Sequence, residues 1–63
     1  MEYIDMIYKI IEFESRDSDA IYEDRILEVI GFSGLNILKA KGLIKTCGVI
    51  NGRKLYALVK KES

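Results

Sequence analysis

The 63-residue sequence contains no histidine and a single cysteine, Cys47. Protein zinc sites are built mainly from cysteine and histidine, so a zinc site of this kind is excluded. One cysteine also excludes a disulfide within the chain, and a free thiol is typical of a reducing compartment. We predict that the protein has no metal and no cofactor, and that Cys47 is a small hydrophobic residue inside a β-hairpin.

The residue groupings on which catalysis commonly depends are also missing. There is no histidine to activate a nucleophile, and no glycine-rich loop has the spacing that cradles a phosphate. Helix capping and solvation explain the acidic residues between Asp17 and Asp24 better than metal binding does. We predict that the protein is not an enzyme, has no catalytic residues and acts on no small-molecule substrate.

No apolar run approaches the roughly 18 residues that a membrane span requires. The opening residues, MEYIDMIYK, carry acids where a signal peptide carries lysines. We therefore predict a cytoplasmic protein without membrane association.

Hydrophobic residues make up 49% of the chain and charged residues 32%, which is typical of a globular protein. A chain of this length forms at most one domain, which we place at residues 1–63. A domain of about 60 residues buries only about 60% of the surface of its unfolded chain. Because small domains need a staple, and a disulfide and zinc are excluded here, we predict a homodimer.

Charge is distributed unevenly along the chain. Residues 1–31 contain nine acidic and three basic residues, a net charge of −6, whereas residues 32–63 contain seven basic residues and one acidic residue, a net charge of +6. Such asymmetry indicates a surface for a polyanion such as nucleic acid. It is also compatible with a dipolar protein whose halves attract each other in a dimer.

The hydrophobic pattern predicts three helices. Residues 2–14 have helical period, with apolar residues around more than half of the circumference. A helix covering one side of a small core needs a narrower apolar face, so we predict that this helix also contacts a second copy of the chain. The dimer interface that we predict consists of Tyr3, Met6, Ile10 and Phe13.

Two further helices are predicted at residues 20–30 and 33–41. The acidic and serine residues from Asp17 to Asp19 are typical of a helix start. Gly31 and Gly34 lower helix propensity and predict a turn between the two helices. Gly42 follows lysines in a last turn and is a typical helix stop.

Residues 43–59 predict a β-hairpin around Asn51-Gly52, because this dipeptide favours positive φ at both turn positions. A two-residue loop sets Cys47 opposite Tyr56. It also directs Cys47, Val49, Tyr56 and Leu58 toward the core.

The stretch from Leu35 to Ile44 reads LxxLxxxGLI, and the stretch from Gly52 to Leu58 reads GRxLYxL. With the element order, these motifs resemble the winged helix-turn-helix family of small bacterial and archaeal regulators, chiefly over residues 35–58. The resemblance implies an α+β, mostly helical fold, a minimal winged helix of three helices followed by a β-hairpin wing. It also implies a homodimer that binds double-stranded DNA and regulates transcription.

In this family the third helix enters the major groove and the wing contacts the DNA backbone or minor groove. Carried over, the resemblance implies helix contacts from Ser33, Asn36 and Lys39, and wing contacts from Asn51, Arg53 and Lys54. Lys41 and Lys45 add cations for the phosphates. The helix stretch IGFSGLNILKAK has two glycines and few base-reading side chains, so we expect it to be short or kinked near Gly34. Phosphate contacts should then outweigh base readout.

Two other functions are compatible with the sequence. Winged helices also serve as protein-interaction modules, in which case the apolar face of the first helix would dock a partner protein and the basic hairpin would aid solubility. The acidic first half could instead belong to an inhibitor of a nucleic-acid enzyme.

Overall fold

The computed structural model describes residues 2–59, which form two helices and a three-stranded antiparallel sheet. The elements run in the order α1 (Tyr3–Glu14), β1 (Ile21–Tyr22), α2 (Glu23–Ala40), β2 (Ile44–Ile50) and β3 (Arg53–Leu58). The fold is α+β, but the expected minimal winged helix of three helices followed by a hairpin is wrong. A strand lies between the helices, and the second and third predicted helices form one element.

The segment between the helices forms a turn and a short strand. Ser15 ends α1, since its backbone N–H and its hydroxyl both donate to the carbonyl oxygen of Ile11, at 2.9 and 2.8 Å. Ile21 then pairs with Tyr56, and Tyr22 with Leu55. The helix expected from residue 20 therefore begins only at Glu23, and no side-chain hydrogen bond caps it.

The helix α2 is interrupted at Gly31, where φ is 75° and ψ is 175°. Its C-terminal end has the predicted glycine stop. Gly42 adopts a positive φ of 69°, and the N–H groups of Gly42 and Leu43 donate to the carbonyl oxygens of Lys39 and Leu38. This pairing is a Schellman motif, which satisfies two carbonyl groups at the helix end.

The hairpin turn has the predicted geometry, with φ of 52° at Asn51 and 77° at Gly52. Its register shifts, however, between Thr46 and Gly48, so Thr46 lies opposite Tyr56 and Cys47 occupies a β-bulge. Cys47 is exposed and Val49 is 61% exposed. The prediction that these two residues face the core is therefore wrong.

The core is formed by both helices and one face of the sheet, whose strand order is β1-β3-β2. Among residues 2–59, nine apolar side chains are buried: Ile7, Tyr8, Ile11, Ile21, Ile26, Leu35, Leu38, Ile44 and Tyr56. Burial of each aliphatic side chain contributes about 1.5–3 kcal/mol.

Within residues 2–59, neither helix is long and apolar enough to cross a membrane.

Candidate nucleic-acid interface

Arg53, at the start of β3, is held by residues that precede and begin α2. Its Nε and Nη2 atoms each lie 2.9 Å from Oδ2 of Asp24, and its guanidinium carbon lies 3.9 Å from the centre of the Tyr22 ring. The Arg53 and Asp24 side chains are 49% and 63% exposed. Tyr22 therefore orients a guanidinium that still faces solvent.

Lys39, near the C-terminal end of α2, contacts Tyr56, and the Tyr56 hydroxyl reaches the first residue of α2. The Tyr56 hydroxyl donates to Oε2 of Glu23 at 2.8 Å, and the Lys39 Nζ atom lies 5.2 Å from the centre of the Tyr56 ring. Tyr56 itself is 1% exposed, so its ring is part of the core, with the Lys39 ammonium over its face and Glu23 bound to its hydroxyl. The fold thus pairs Arg53 with Asp24, and Tyr56 contacts both Lys39 and Glu23.

The second part of α2, residues 32–40, is an uninterrupted helical run with one face outward. Leu35 and Leu38 are buried, whereas Ser33, Asn36 and Lys39 are exposed. The interruption of the helix lies at Gly31, one of the two glycines that predicted it, and not at Gly34, which is helical and buried. The three helix residues predicted to contact DNA therefore share a solvent-facing side of one helix.

The other predicted DNA-binding residues lie elsewhere. Lys41 follows the C-terminal end of α2, Asn51 is in the hairpin turn, Lys54 is on β3, and all three are exposed. Lys45 lines a groove of about 410 Å³ between α1, the turn after it and the sheet. Because this groove also contains Glu12, Arg16 and Asp19, Lys45 lies in a mixed-charge environment, and neither Lys39 nor Arg53 lines the groove.

Sequence reasoning missed three residues of this region. Tyr22 and Asp24 contact Arg53 across a large sequence separation, so no local pattern pointed to them. Phe32 is 69% exposed beside Asn36 and Lys39 on the outward face of α2. The position of Phe32 on this face could have been predicted from the sequence, because Phe32 lies one helical turn before Asn36.

The residues of the predicted dimer interface form a stripe along α1. Tyr3, Met6 and Phe13 are 49%, 45% and 60% exposed, and Ile10 is partly buried. Their alternating spacing of three and four residues is that of a coiled-coil seam. The inward face of the same helix carries Ile7, Tyr8 and Ile11, so α1 has a second apolar side that the described chain leaves uncovered.

Next to this stripe, an ion-pair network joins α1 to α2. Arg25 donates to Oε1 of Glu14 at 2.8 Å and to Oε1 of Glu28 at 2.6 Å. The hydrogen bond from Arg25 lowers the pKa of the Glu14 carboxyl below its ordinary value. The same contact with Glu14 raises the pKa of the Arg25 guanidinium. The charged forms of both groups are therefore favoured in the folded chain.

No family model, curated protein or solved structure matches the chain. The resemblance to winged helix-turn-helix regulators thus stays a prediction that depends on the motifs of residues 35–58.

Proposed function

We propose that the protein is a small cytoplasmic transcriptional regulator that binds double-stranded DNA as a homodimer. The interface is formed by residues 32–40 of α2 and by the basic hairpin. The dimer occupies an operator and, by its position there, blocks or recruits the transcription machinery.

One observation carries the proposal, namely the exposed positive charge of residues 32–59. This segment has no acidic residue and five basic residues, all exposed: Lys39, Lys41, Lys45, Arg53 and Lys54. Exposed lysine and arginine side chains neutralise DNA phosphates and release the counterions condensed on them. Lys60 and Lys61, which contribute to the charge of the second half, lie outside the described residues.

The contact between Arg53 and Asp24 does not oppose this role. Exposed ion pairs contribute about 0–1 kcal/mol, so a phosphate can replace Asp24 at little cost. Arginine also forms paired hydrogen bonds with phosphate. The stack on Tyr22 would hold the guanidinium in place during the exchange.

The salt dependence of DNA binding tests the proposal. We expect fluorescent 20-base-pair duplexes, titrated by anisotropy at 50 and 200 mM salt, to bind tightly only at the lower concentration. If a dimer neutralises about six phosphates, the log–log slope of affinity against salt should be about −5. A slope near zero, or no binding at 50 mM salt, would contradict DNA as the partner.

A pair of charge reversals locates the interface. Lys54→Glu should lower the affinity for DNA strongly and reduce the salt slope, because it replaces a phosphate contact with a repulsive charge. Lys9→Glu makes the same change in net charge on α1 and should have a much smaller effect. Equal losses from both variants would indicate a general charge effect and no defined interface.

A protein-interaction module is the second candidate, and the uncovered apolar stripe of α1 favours it. In that function Met6 and Phe13 would dock a partner protein, and the basic hairpin would keep the chain soluble. Absence of DNA binding at low salt, together with a monomeric chain, would favour this candidate over the first.

A further inference from the structure

Phe32 is the most exposed large apolar side chain of residues 2–59, at 69%. It begins the helical run that follows Gly31 and contributes little to the core. Exposure of a single apolar residue is common, but its neighbours on this helix face are polar or basic. A ligand that offers both negative charge and an apolar group would match Phe32 and its neighbours Asn36 and Lys39.

Helix geometry places Phe32 and Asn36 side by side. Residues four apart lie on the same face, about 6 Å apart along the axis. Ala40 continues the row by one more turn, and Lys39 flanks it. Because Leu35 and Leu38 are buried on the opposite side, the row of Phe32, Asn36 and Ala40 points to solvent.

Of the two Watson–Crick base pairs, only A·T offers partners for both Phe32 and Asn36 in the major groove. In the major groove an A·T pair presents the adenine N7 acceptor and N6 donor, which an asparagine amide can bond at once, and the C5-methyl group of thymine. A G·C pair presents neither this donor–acceptor pair on one purine nor a methyl group. The outward row of residues 32–40 also has no arginine, the side chain that most often reads guanine.

We infer that the outward face of residues 32–40 reads A·T base pairs in the major groove. Asn36 bonds an adenine, and Phe32 contacts the C5-methyl group of a thymine one or two base pairs away. The spacing fits, since base pairs are about 3.4 Å apart and the two side chains are about 6 Å apart. This inference rests on the proposed DNA binding and adds to it the bases that are recognised.

Thymine and uracil differ only in the C5-methyl group, which is the group that Phe32 is inferred to contact. A comparison of DNA duplexes that contain one or the other base therefore tests the inference. The probes are a 20-base-pair duplex of alternating adenine and thymine, the same duplex with uracil in place of thymine, and an alternating G·C duplex. Competition anisotropy at 50 mM salt measures the three affinities. We expect the uracil duplex to bind about fourfold more weakly for each methyl group contacted, and the G·C duplex to bind more weakly still.

Two variants assign the two contacts. Phe32→Ala should bind the thymine and uracil duplexes equally, with an unchanged salt slope. Asn36→Ala should lose most of the preference for A·T over G·C and keep the preference for thymine over uracil. Leu27→Ala, which truncates an exposed apolar side chain outside the proposed interface, should keep both preferences.

The outcomes separate this inference from the proposed function. If the native protein binds the thymine and uracil duplexes equally, or if Phe32→Ala keeps the preference for thymine, the assigned methyl contact is wrong while DNA binding stands. If the native protein binds none of the duplexes at 50 mM salt, the proposed function is wrong, and the inference that rests on it is wrong as well. Circular dichroism checks that the variants fold, which the exposure of Phe32 leads us to expect.

Discussion

At the scale of single residues, Gly31 sets the direction of the helix face proposed to meet DNA. A φ of 75° with a ψ of 175° belongs to a region that only glycine occupies readily. A Cβ atom at this position would meet no atom within 4 Å, so the requirement comes from the backbone and not from packing. The kink at Gly31 gives the helical run of residues 32–40 a direction different from that of residues 23–30.

Gly31→Ala should therefore lower the free energy of unfolding by about 1–3 kcal/mol, the usual cost of a residue held in an unfavourable backbone region. Urea denaturation followed by circular dichroism measures the change. Gly48→Ala is the matched control, because a Cβ there also meets no atom within 4 Å and its φ is ordinary. If both variants lose the same stability, the backbone argument for Gly31 is wrong.

Asp24 pairs with Arg53 and is the carboxylate that a DNA phosphate would have to replace in the proposed complex. Asp24→Asn should strengthen DNA binding several-fold at 50 mM salt, because it releases the guanidinium and removes a negative charge beside it. Asp17→Asn raises the net charge equally, but Asp17 contacts Arg16, at 3.8 Å, in the turn after α1. Anisotropy titrations should show a smaller gain for Asp17→Asn. Equal gains would mean that the contact between Asp24 and Arg53 has no particular role.

At the scale of elements, the sequence predicted the features that short-range chemistry determines. The hairpin turn at Asn51-Gly52 and the helix stop at Gly42 each depend on positive φ within two or three residues. The strand β1 was missed because it has only two residues and its partner, Tyr56, follows Ile21 much later in the chain. The residues from Asp17 to Asp19, before β1, are of the types that cap helices and therefore predicted a helix start, although α2 begins only at Glu23.

The hairpin prediction was right for Tyr56 and Leu58, which lie in or against the core, and wrong for Cys47, for a related reason. A shift of one residue in strand register moves side chains to the opposite face. The bulge at Cys47 introduces such a shift, and the glycine that follows it, Gly48, is the local feature of the sequence that marks its position. For the candidate site, polarity predicted which residues are exposed, but the contacts of Arg53 with Tyr22 and Asp24 depend on tertiary structure.

The contact between Glu14 and Arg25 links α1 to α2 and makes this link pH-dependent. The folded pKa of Glu14 is lowered, chiefly by the hydrogen bond from Arg25. A lowered carboxyl pKa contributes stability above the unfolded value of about 4.3, and this contribution is lost as pH falls through the folded pKa. Glu14→Gln should flatten the decrease in stability below about pH 4.3, relative to the native chain, in urea denaturations at a series of pH values.

Glu12→Gln is the control for this effect. Glu12 is an exposed carboxylate on the same helix, and no salt bridge of the described residues involves it. Its removal should leave the pH dependence close to that of the native chain. The same flattening in both variants would contradict a specific contribution from the ion pair with Arg25.

At the scale of the whole molecule, α1 has two apolar sides, one that packs in the core and one that we predict forms the contact with a second copy. Ile7, Tyr8 and Ile11 are in the core, and Tyr3, Met6, Ile10 and Phe13 form the outward stripe. A helix of 12 residues is about 18 Å long, which is short for a standard interface of about 800 Å² per partner. We therefore expect a weak dimer, with a dissociation constant on the order of micromolar.

Sedimentation equilibrium should then show a mass that rises with concentration from 7.2 kDa toward twice that value. Met6→Asp should keep the chain monomeric, because a second copy would bury its unpaired charge, whereas Met6→Leu should associate normally. Val49→Asp places the same charge at an exposed apolar residue of the hairpin and should leave the mass curve unchanged. If Val49→Asp prevents association and Met6→Asp does not, the interface lies on the hairpin. The proposed DNA-binding surface and the dimer contact would then compete for the same residues.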